Sequence, residues 1–255
     1  AREDDSTRYV LSDPGRIFPR PKGWLILGEI TSRQDIIAGT DVRVAAPAGK
    51  GDRLQDTLAF IGWNLPAVKA VLPGFPDQLL IVTAGKPMWR GGLSGTRSLF
   101  MHADRPMISG NRTSSLIHEL IHVGTGISGG KRADWIVEGL AEYYASAILF
   151  RTGGMSDWRY EQVLEWKNDW AREADTLFTR RSSGPVTARA AIFMHRLDQA
   201  LAKATDGAAG IDDVARALAQ DRGRVSLAQL KEIVADLAGD AVDVDALIAA
   251  LENVS

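Results

Sequence analysis

The chain has 255 residues, of which 45% are hydrophobic, and it carries a formal net charge of −2 at pH 7. This length is enough to bury one large core, or two lobes that share a cleft. The near-neutral charge gives no electrostatic case for nucleic acid or an anionic membrane as a partner, and no apolar run approaches the roughly 20 residues that a membrane-spanning helix needs.

The first hundred residues alternate between strand-like and helical patterns, which predicts a mixed α/β lobe. A helix is predicted for Arg53 to Val71, where apolar residues recur at helical spacing and Pro66 interrupts them. Four segments have the apolar and β-branched composition of strands: Trp24 to Ile30, Asp41 to Ala45, Leu79 to Thr83 and Arg97 to Ala103.

A histidine pair lies within the next helical pattern. The segment His118-Glu119-Leu120-Ile121-His122 is an HExxH motif, and residues 111–115 before it include several good helix caps. The helix is expected to stop at Gly124. Because residues i and i+4 lie one turn apart on the same face, His118 and His122 can hold one metal ion. Two buried histidines without a metal are the alternative, which the caps and the apolar register disfavour.

Glu119 is the candidate general base of this motif. Its side chain projects about 100° round the helix from His118. There its carboxylate can take a proton from a water molecule that a metal ion activates.

The third metal ligand is predicted on the following helix, Asp134 to about Phe150, after a glycine-rich turn at residues 124–130. A catalytic zinc takes three protein ligands, and a chain without cysteine offers only nitrogen and oxygen donors. Glu138 lies in an apolar stretch beside a glycine, where a free carboxylate would be costly, so we expect it to be the third ligand.

Glu142 lies one turn after Glu138 on the same helix face. Its carboxylate is therefore predicted to accept the other ring N–H of a ligating histidine and to fix its tautomer. An ordinary surface pair with Lys131 or Arg132 is the alternative.

The rest of the chain has helical patterns. Val163, Trp166 and Trp170 form a stripe that we expect in the core, whereas Trp158 and Tyr160 are candidates for roofing the cleft. Further helices are predicted over Ala190 to Ala202 and, as two or three short ones, over Ile211 to Leu251. We therefore divide the chain into an α/β lobe, residues 1–150, which carries the HExxH helix and the Glu138 helix, and a helical lobe, residues 151–255, which closes the cleft.

The motifs carry a family resemblance. HExxH followed by WxxEGxxxYY, Trp135 to Tyr144 here, resembles the gluzincin metallopeptidases, and most the glycyl-aminopeptidase branch with its thermolysin- and aminopeptidase N-like catalytic domain. Phe75 to Val82, then Gly91-Gly92-Leu93, then Ser98-Leu99-Phe100, resemble that branch's strand, its glycine-rich element and the strand after it. The resemblance covers about residues 36–250.

This resemblance implies a zincin fold of the α+β class, in which a mixed β-sheet and an active-site helix are followed by a helical lobe. It implies Zn²⁺ as cofactor and a peptide or protein as substrate. Arg97 to Ala103 is expected at the sheet edge above the active-site helix, where an extended peptide can add as a strand. His102 on that segment is interpreted as structural or substrate-contacting.

Two departures from the family concern the substrate. Where the family has an acidic residue that helps to hold a substrate's amino terminus, this chain has Ser94-Gly95. Where the family has a tyrosine that stabilises the oxyanion, residues 185–191 contain none. Aminopeptidase and endopeptidase activity therefore both stay open. Candidate substrate contacts, with packing as the alternative for the rings, are Gly91, Gly92, Leu93, Tyr143, Tyr144, Tyr160 and His195.

The sequence thus predicts a zinc-dependent peptidase that hydrolyses peptide bonds with Glu119 as general base. A catalytically weak or inactive zincin-like protein that binds peptides or acts as a scaffold is the alternative, and a zinc hydrolase of a non-peptide amide is a third possibility. The start at Ala1, without an initiator methionine and with a polar 2–6 segment, favours an exported protein, periplasmic or secreted, with a cytoplasmic location as the alternative.

Overall fold

A computed structural model describes residues 2–3, 9–10, 22–50 and 53–252. Ala1 and residues 4–6, on which the expected export partly depends, lie outside the described residues. A short antiparallel pair, β1 (Arg2–Glu3) and β2 (Tyr9–Val10), precedes the main sheet.

The main sheet has five strands and is mixed, as predicted. Its strands are β3 (Ile30–Ile37), β4 (Thr40–Pro47), β5 (Gln78–Ala84), β6 (Gly92–Gly95) and β7 (Ser98–His102), in the order β3-β4-β5-β7-β6. The β4–β5 and β5–β7 pairs are parallel, whereas β3–β4 and β6–β7 are antiparallel hairpins. Helix α1 (Leu54–Val71) makes the crossover from β4 to β5 and continues through Pro66. The predicted helix and three of the four strand segments are therefore confirmed.

The strand prediction for Trp24 to Ile30 was wrong, because the strand begins only at Ile30. Leu25 and Leu27 are 48% and 78% exposed, and Trp24 and Ile26 on the opposite face are only half-buried, so this segment has no fully buried face that would hold a strand in register. It is fastened by Trp24 instead, whose backbone N–H donates to Ser98 Oγ at 2.8 Å and whose indole Nε1 donates to the Leu93 carbonyl at 2.7 Å.

The prediction that Arg97 to Ala103 forms the sheet edge was also wrong. Strand β7 lies between β5 and β6, so the edge strand on this side of the sheet is β6. The chain reverses tightly before β7, with Arg97 at φ +51°, and the short glycine-rich β6 folds back over the outer side. Glycine is rare in strand interiors, and β6 has a glycine at each end, so its composition did not predict a strand.

Helices α2 (Ser115–Thr125) and α3 (Asp134–Arg151) carry the predicted metal ligands. Ser114 caps α2 and accepts a hydrogen bond from the backbone N–H of Ile117 at 3.3 Å. The helix ends at Gly126, which has the left-handed φ of +61°, and not at Gly124 as predicted. Gly124 is instead a contact point, since a Cβ there would lie 2.7 Å from Leu72 Cδ1.

The connection between α2 and α3 and the second half of the chain complete the fold. In that connection β8 (Ser128–Gly129) pairs with β9 (Arg224–Val225). The helices of the second half are α4 (Asp157–Ala171), α5 (Pro185–Ala204), α6 (Ile211–Ala219), α7 (Leu227–Ala238) and α8 (Val244–Glu252), with a 3₁₀ turn at Gly239–Ala241. Two or three short helices were predicted over Ile211 to Leu251, and the described residues there form three, α6, α7 and α8.

One continuous core of buried apolar side chains runs through the sheet, α1, α2, α3 and the later helices, as the α+β class requires. The division of the chain at residue 150 stays a prediction. Among the described residues, no helix has both the length and the apolar character needed to span a membrane.

The predicted core stripe of α4 needs a correction. Val163 is buried, but Trp166 is 40% exposed and Trp170 is only half-buried. Trp158, which was a candidate for roofing the cleft, is 64% exposed. The buried face of α4 consists of Val163, Lys167 and Ala171, at i, i+4 and i+8. The tryptophan residues did not predict the buried face correctly, because a large amphipathic ring can lie at the border between the buried and the exposed face of a helix and stay partly exposed.

Candidate metal centre

Three of the predicted residues meet between α2 and α3. The Nε2 atoms of His118 and His122 lie 3.1 Å apart. Glu138 places Oε2 3.3 Å from His118 Nε2 and Oε1 3.5 Å from His122 Nε2. The two histidines converge because they are one turn apart on α2, and Glu138 meets them because α3 packs beside α2 with its own first turns facing the motif.

The distances between these donor atoms fit a tetrahedral metal site. Zinc bonds nitrogen and carboxylate oxygen at about 2.0–2.2 Å, so two ligand atoms of a tetrahedron lie about 3.3–3.6 Å apart. The observed separations of 3.1–3.5 Å are close to this range. The side chains of His118, His122 and Glu138 are 17%, 13% and 27% exposed, which leaves one side of the site accessible. Three ligands and an accessible side are typical of catalytic zinc sites, whereas structural sites are closed by four protein ligands.

Glu142 and Lys167 extend the site behind His118. Glu142 Oε2 lies 3.4 Å from His118 Nδ1, the ring nitrogen that faces away from Glu138. Its other oxygen, Oε1, pairs with Lys167 Nζ, which also donates to the Glu142 carbonyl at 3.0 Å. The ion-pair partner of Glu142 is thus Lys167 and not Lys131 or Arg132.

Burial and charge act against each other on the ionisable groups of the site. Burial alone lowers the pKa of His118, but the carboxylates of Glu138 and Glu142 outweigh it and raise this pKa to about 10. Burial, together with the charge of His118, lowers the pKa of His122 to about 4. Burial raises the pKa of Glu142, but Lys167 and His118 outweigh it and lower this pKa to about 2. The site is therefore anionic enough to hold a proton on His118, and a divalent cation on the same atoms would displace that proton.

Glu119 lies on the same helix between the two histidines and is 8% exposed. Burial raises the pKa of its carboxyl, against the opposing effects of His118 and of hydrogen bonds from the backbone and side chain of Ser94. Ser94 lies on the edge strand β6, where Gly92 also approaches Glu119 so closely that a Cβ there would lie 3.0 Å from Oε1. The edge strand therefore forms one wall of the site and holds the carboxylate of Glu119 in place.

The two adjacent tyrosines of α3 make hydrogen bonds away from the three metal-ligand candidates. Tyr143 is 4% exposed and donates to Asp198 Oδ2 at 2.9 Å, while Tyr144 is fully buried and donates to Asp212 Oδ1 at 2.7 Å. Arg151 binds the same carboxylate of Asp212 at 2.9 and 3.0 Å. Burial raises the pKa of both tyrosines well above the ordinary value, so both stay protonated as hydrogen-bond donors.

The other candidate substrate contacts lie in two places. Tyr160 stacks on Phe150 with ring centroids 4.5 Å apart, and His195 faces the Tyr143 ring with its buried Nδ1 lacking a hydrogen-bond partner among the described residues. On the sheet, Leu93 is 46% exposed on β6, and the carbonyl of Gly91 just before that strand accepts from the backbone N–H of His102.

His102 itself lies on β7 and is not one of the clustered metal-ligand candidates. It is buried, and its Nδ1 accepts a hydrogen bond from the backbone N–H of Asp104 at 3.2 Å. This hydrogen bond at the end of β7 agrees with a structural role for His102, one of the two interpretations given above.

Two residues of the site were missed by sequence reasoning. Lys167 falls four residues after Val163 on the buried face of α4, and a lysine at such a position is the only signal the sequence gives that a carboxylate faces it. Ser94 was noticed only as the absence of an acidic residue, and its contact with Glu119 depends on the β6 hairpin, which the sequence did not reveal.

Comparisons with known proteins support the fold. No family model matches the sequence, and a comparison with curated proteins gives no match. Solved structures are similar at low identity. An aminopeptidase N family protein from Idiomarina loihiensis is 14% identical with a TM-score of 0.65, over 88% of this chain and 46% of that one.

Two further structures point the same way. An M1 zinc metallopeptidase from Deinococcus radiodurans is 18% identical with a TM-score of 0.58, over 88% of this chain and 52% of that one. Native leukotriene A4 hydrolase from Saccharomyces cerevisiae is 15% identical with a TM-score of 0.60, over 86% of this chain and 39% of that one. The chain thus spans about half the length of these proteins or less, and its fold is the α+β zincin-like fold of their peptidase domains.

Proposed function

We propose that the chain is a zinc-dependent peptidase in which His118, His122 and Glu138 hold the ion and Glu119 is the general base. One observation carries this proposal: the Nε2 atoms of His118 and His122 lie 3.1 Å apart and each has a carboxylate oxygen of Glu138 at 3.3 or 3.5 Å, close to the spacing of tetrahedral zinc ligands. The site is partly exposed, and the buried carboxylate of Glu119 from the same HExxH turn lies beside it. The similarity of the fold to zinc metallopeptidases supports it.

A zinc ion held there would polarise the substrate carbonyl as a Lewis acid and lower the pKa of a water molecule. The protein's own part in the reaction is proton transfer and orientation. An Oε atom of Glu119 accepts the proton of the attacking water and later delivers it to the leaving amine nitrogen. Strand β6 borders this carboxylate through the close approach of Gly92, and Glu142 Oε2 lies behind the His118 ring, 3.4 Å from Nδ1.

A peptide substrate is supported by two observations. A structure of the Deinococcus radiodurans enzyme is described with a Tyr-ser-ala substrate, and another M1 zinc metallopeptidase structure is described with L-arginine. In this chain, β6 is the edge strand of the sheet that borders Glu119, so an extended peptide could hydrogen-bond along it beside the base. We therefore propose for Gly92–Gly95 the peptide-binding role that was expected for residues 97–103.

A catalytically weak or inactive peptide-binding protein is the second candidate. The hydroxyls of Tyr143 and Tyr144 are already engaged by Asp198 and Asp212, so neither is free to stabilise an oxyanion. A protein of this kind would keep the metal and the fold but not turn over peptides.

The substitution Glu119→Gln distinguishes the two functions. We expect the variant to retain one zinc per chain, measured by elemental analysis, while peptide hydrolysis falls about 10²- to 10⁴-fold through the loss of the base. A peptide library read by mass spectrometry, in free-amino and N-acetylated forms, reports activity and separates aminopeptidase from endopeptidase cleavage. His118→Ala is the control and should lose zinc. Wild-type protein that binds zinc but cleaves no library member would overturn the peptidase in favour of the binding protein.

A further inference from the structure

We propose that Lys167 is a positioning residue of the metal centre: through Glu142 it fixes the orientation of the His118 ring. The inference rests on the proposed function, because it concerns the same site. It assigns a role to a residue of α4, a helix that supplies no metal-ligand candidate.

Lys167 lies in the middle of the buried face of α4. Its neighbours on that face, Val163 and Ala171, are 3% and 4% exposed, and Lys167 itself is 1% exposed. Removing an ammonium group from water is energetically costly unless the group is paired and its donors are satisfied. The position therefore requires an acceptor, and the structure supplies two on one residue, the carbonyl and the Oε1 of Glu142.

These two contacts decide how the Glu142 carboxylate is turned. The bond to the Glu142 carbonyl ties the ammonium to the backbone of α3, and the pairing with Oε1 then leaves Oε2 as the oxygen that faces His118. Oε2 lies 3.4 Å from His118 Nδ1, which favours the tautomer with its proton on that nitrogen. The lone pair of His118 Nε2 is then directed at the metal position beside Glu138.

A residue that acts in this way affects metal affinity, whereas a merely structural ion pair affects stability. Losing a carboxylate behind a ligating histidine lowers metal affinity about 10- to 100-fold. Replacing a buried ion pair by apolar residues of similar size is often neutral or stabilising for the fold. The two roles can therefore be separated by measuring zinc affinity and unfolding on the same variants.

The experiment compares Lys167→Met, Glu142→Gln and the double variant Lys167→Met/Glu142→Leu. Zinc dissociation constants are measured by competition with a chromogenic chelator, and thermal unfolding is measured on the metal-free proteins. We expect each single variant to bind zinc about 10- to 100-fold more weakly than wild type. The double variant should unfold no more easily than Lys167→Met, yet its zinc affinity should stay reduced.

Lys69→Met is the matched control. Lys69 also holds a backbone carbonyl, that of Ala38, at 2.7 Å, and it lies on α1 away from the metal ligands. We expect this variant to lose stability without any change in zinc affinity. The cobalt-substituted proteins give an independent readout, since a turned His118 ring changes the visible absorption of bound Co²⁺ in Lys167→Met but not in Lys69→Met.

Two results would overturn the proposal: a zinc affinity of Lys167→Met within twofold of wild type, or a double variant that recovers affinity together with stability. If Lys167→Met does not fold, Lys167→Gln takes its place, because its side-chain amide can still donate to the Glu142 carbonyl, and it should likewise bind zinc more weakly than wild type. The failure of the proposed function looks different, because wild type itself would then bind no zinc or cleave no peptide.

Discussion

Among single residues, Gly92 sets the tightest limit on the position of the candidate base. A Cβ at this position would lie 2.8 Å from Glu119 Cγ and 3.0 Å from its Oε1. Strand β6 cannot easily move away, since Gly92 is paired with Met101 of β7. Any side chain at 92 must therefore displace the Glu119 side chain, together with the end of the Met101 side chain, whose Cε would also lie 2.8 Å away.

We expect Gly92→Ala to keep its zinc but to lose peptide hydrolysis by about 100-fold, the effect that a displacement near 1 Å has on a catalytic group. The measurement is kcat/KM together with metal content. Gly85→Ala is the control, because a Cβ there meets nothing within 4 Å. Unchanged kcat/KM in Gly92→Ala would show that Glu119 does not take part from its present position.

A substitution of Tyr144 tests whether this residue packs the core or contacts the substrate. Its hydroxyl donates to Asp212, which Arg151 also binds, and hydrogen bonds to charged groups contribute about 1.5–3 kcal/mol. We expect Tyr144→Phe to lower the free energy of unfolding by about 1–2 kcal/mol, since Arg151 still satisfies the carboxylate. Urea unfolding measures this effect, and peptide turnover should stay at the wild-type level. Lost turnover at unchanged stability would instead make this hydroxyl part of the reaction.

At the scale of elements, the crossing of α3 and α5 holds the Glu138 side of the site. Gly139 is the contact point, since a Cβ there would lie 2.8 Å from Ala190 Cβ and 3.0 Å from its backbone carbon. Glu138 is the preceding residue, so an enforced separation of the two helices also moves the third ligand.

We expect Gly139→Ala to lower the free energy of unfolding by about 1–3 kcal/mol through overpacking, and to weaken zinc binding. Gly62→Ala is the control in another helix. Gly62 is exposed on α1, and its nearest contact would be Ile37 Cδ1 at 4.0 Å, so this change should stabilise the fold by about 0.5–1 kcal/mol. Chemical unfolding of both variants checks the opposite signs. A stabilised Gly139→Ala would mean that α5 can retreat without affecting α3.

The helices were predictable from the sequence because their signals are local. Ser114 lies just before the apolar register of α2, and the spacing of α3 put Glu138 and Glu142 on one face, so the arrangement of the metal-ligand candidates followed from helix geometry. The error at the end of α2 has a similar local cause: both Gly124 and Gly126 could end a helix, and only the packing of Gly124 against Leu72 decides between them.

The edge of the sheet and the buried lysine were not predictable, because both depend on contacts between distant segments. Strand β6 is defined by its pairing with β7 and not by its own composition. Lys167 is buried because Glu142 lies 25 residues away in sequence at the place where α4 meets α3. A pattern within one helix cannot show which charge of another helix will face it.

At the scale of the whole molecule, the candidate metal site joins two helices that the core already holds together. Leu120 of α2 and Leu140 of α3 are fully buried in the same continuous core. The metal-free protein should therefore be folded, and zinc should add to its stability by binding the native state alone. This differs from small zinc domains, in which the metal is needed for folding.

We therefore expect the unfolding temperature to rise with zinc concentration. At a free concentration about 100 times the dissociation constant, the native state gains about 2.7 kcal/mol, which is roughly 5–11 °C for a domain of this size. Differential scanning calorimetry with buffered zinc measures the shift, and a chelator should reverse it. Glu119→Gln should show the same shift, because the base is not a ligand, whereas His122→Ala should show none. Binding to the native state alone must raise its stability. An unfolding temperature that changes neither with zinc nor with chelator would therefore mean that His118, His122 and Glu138 do not bind this ion.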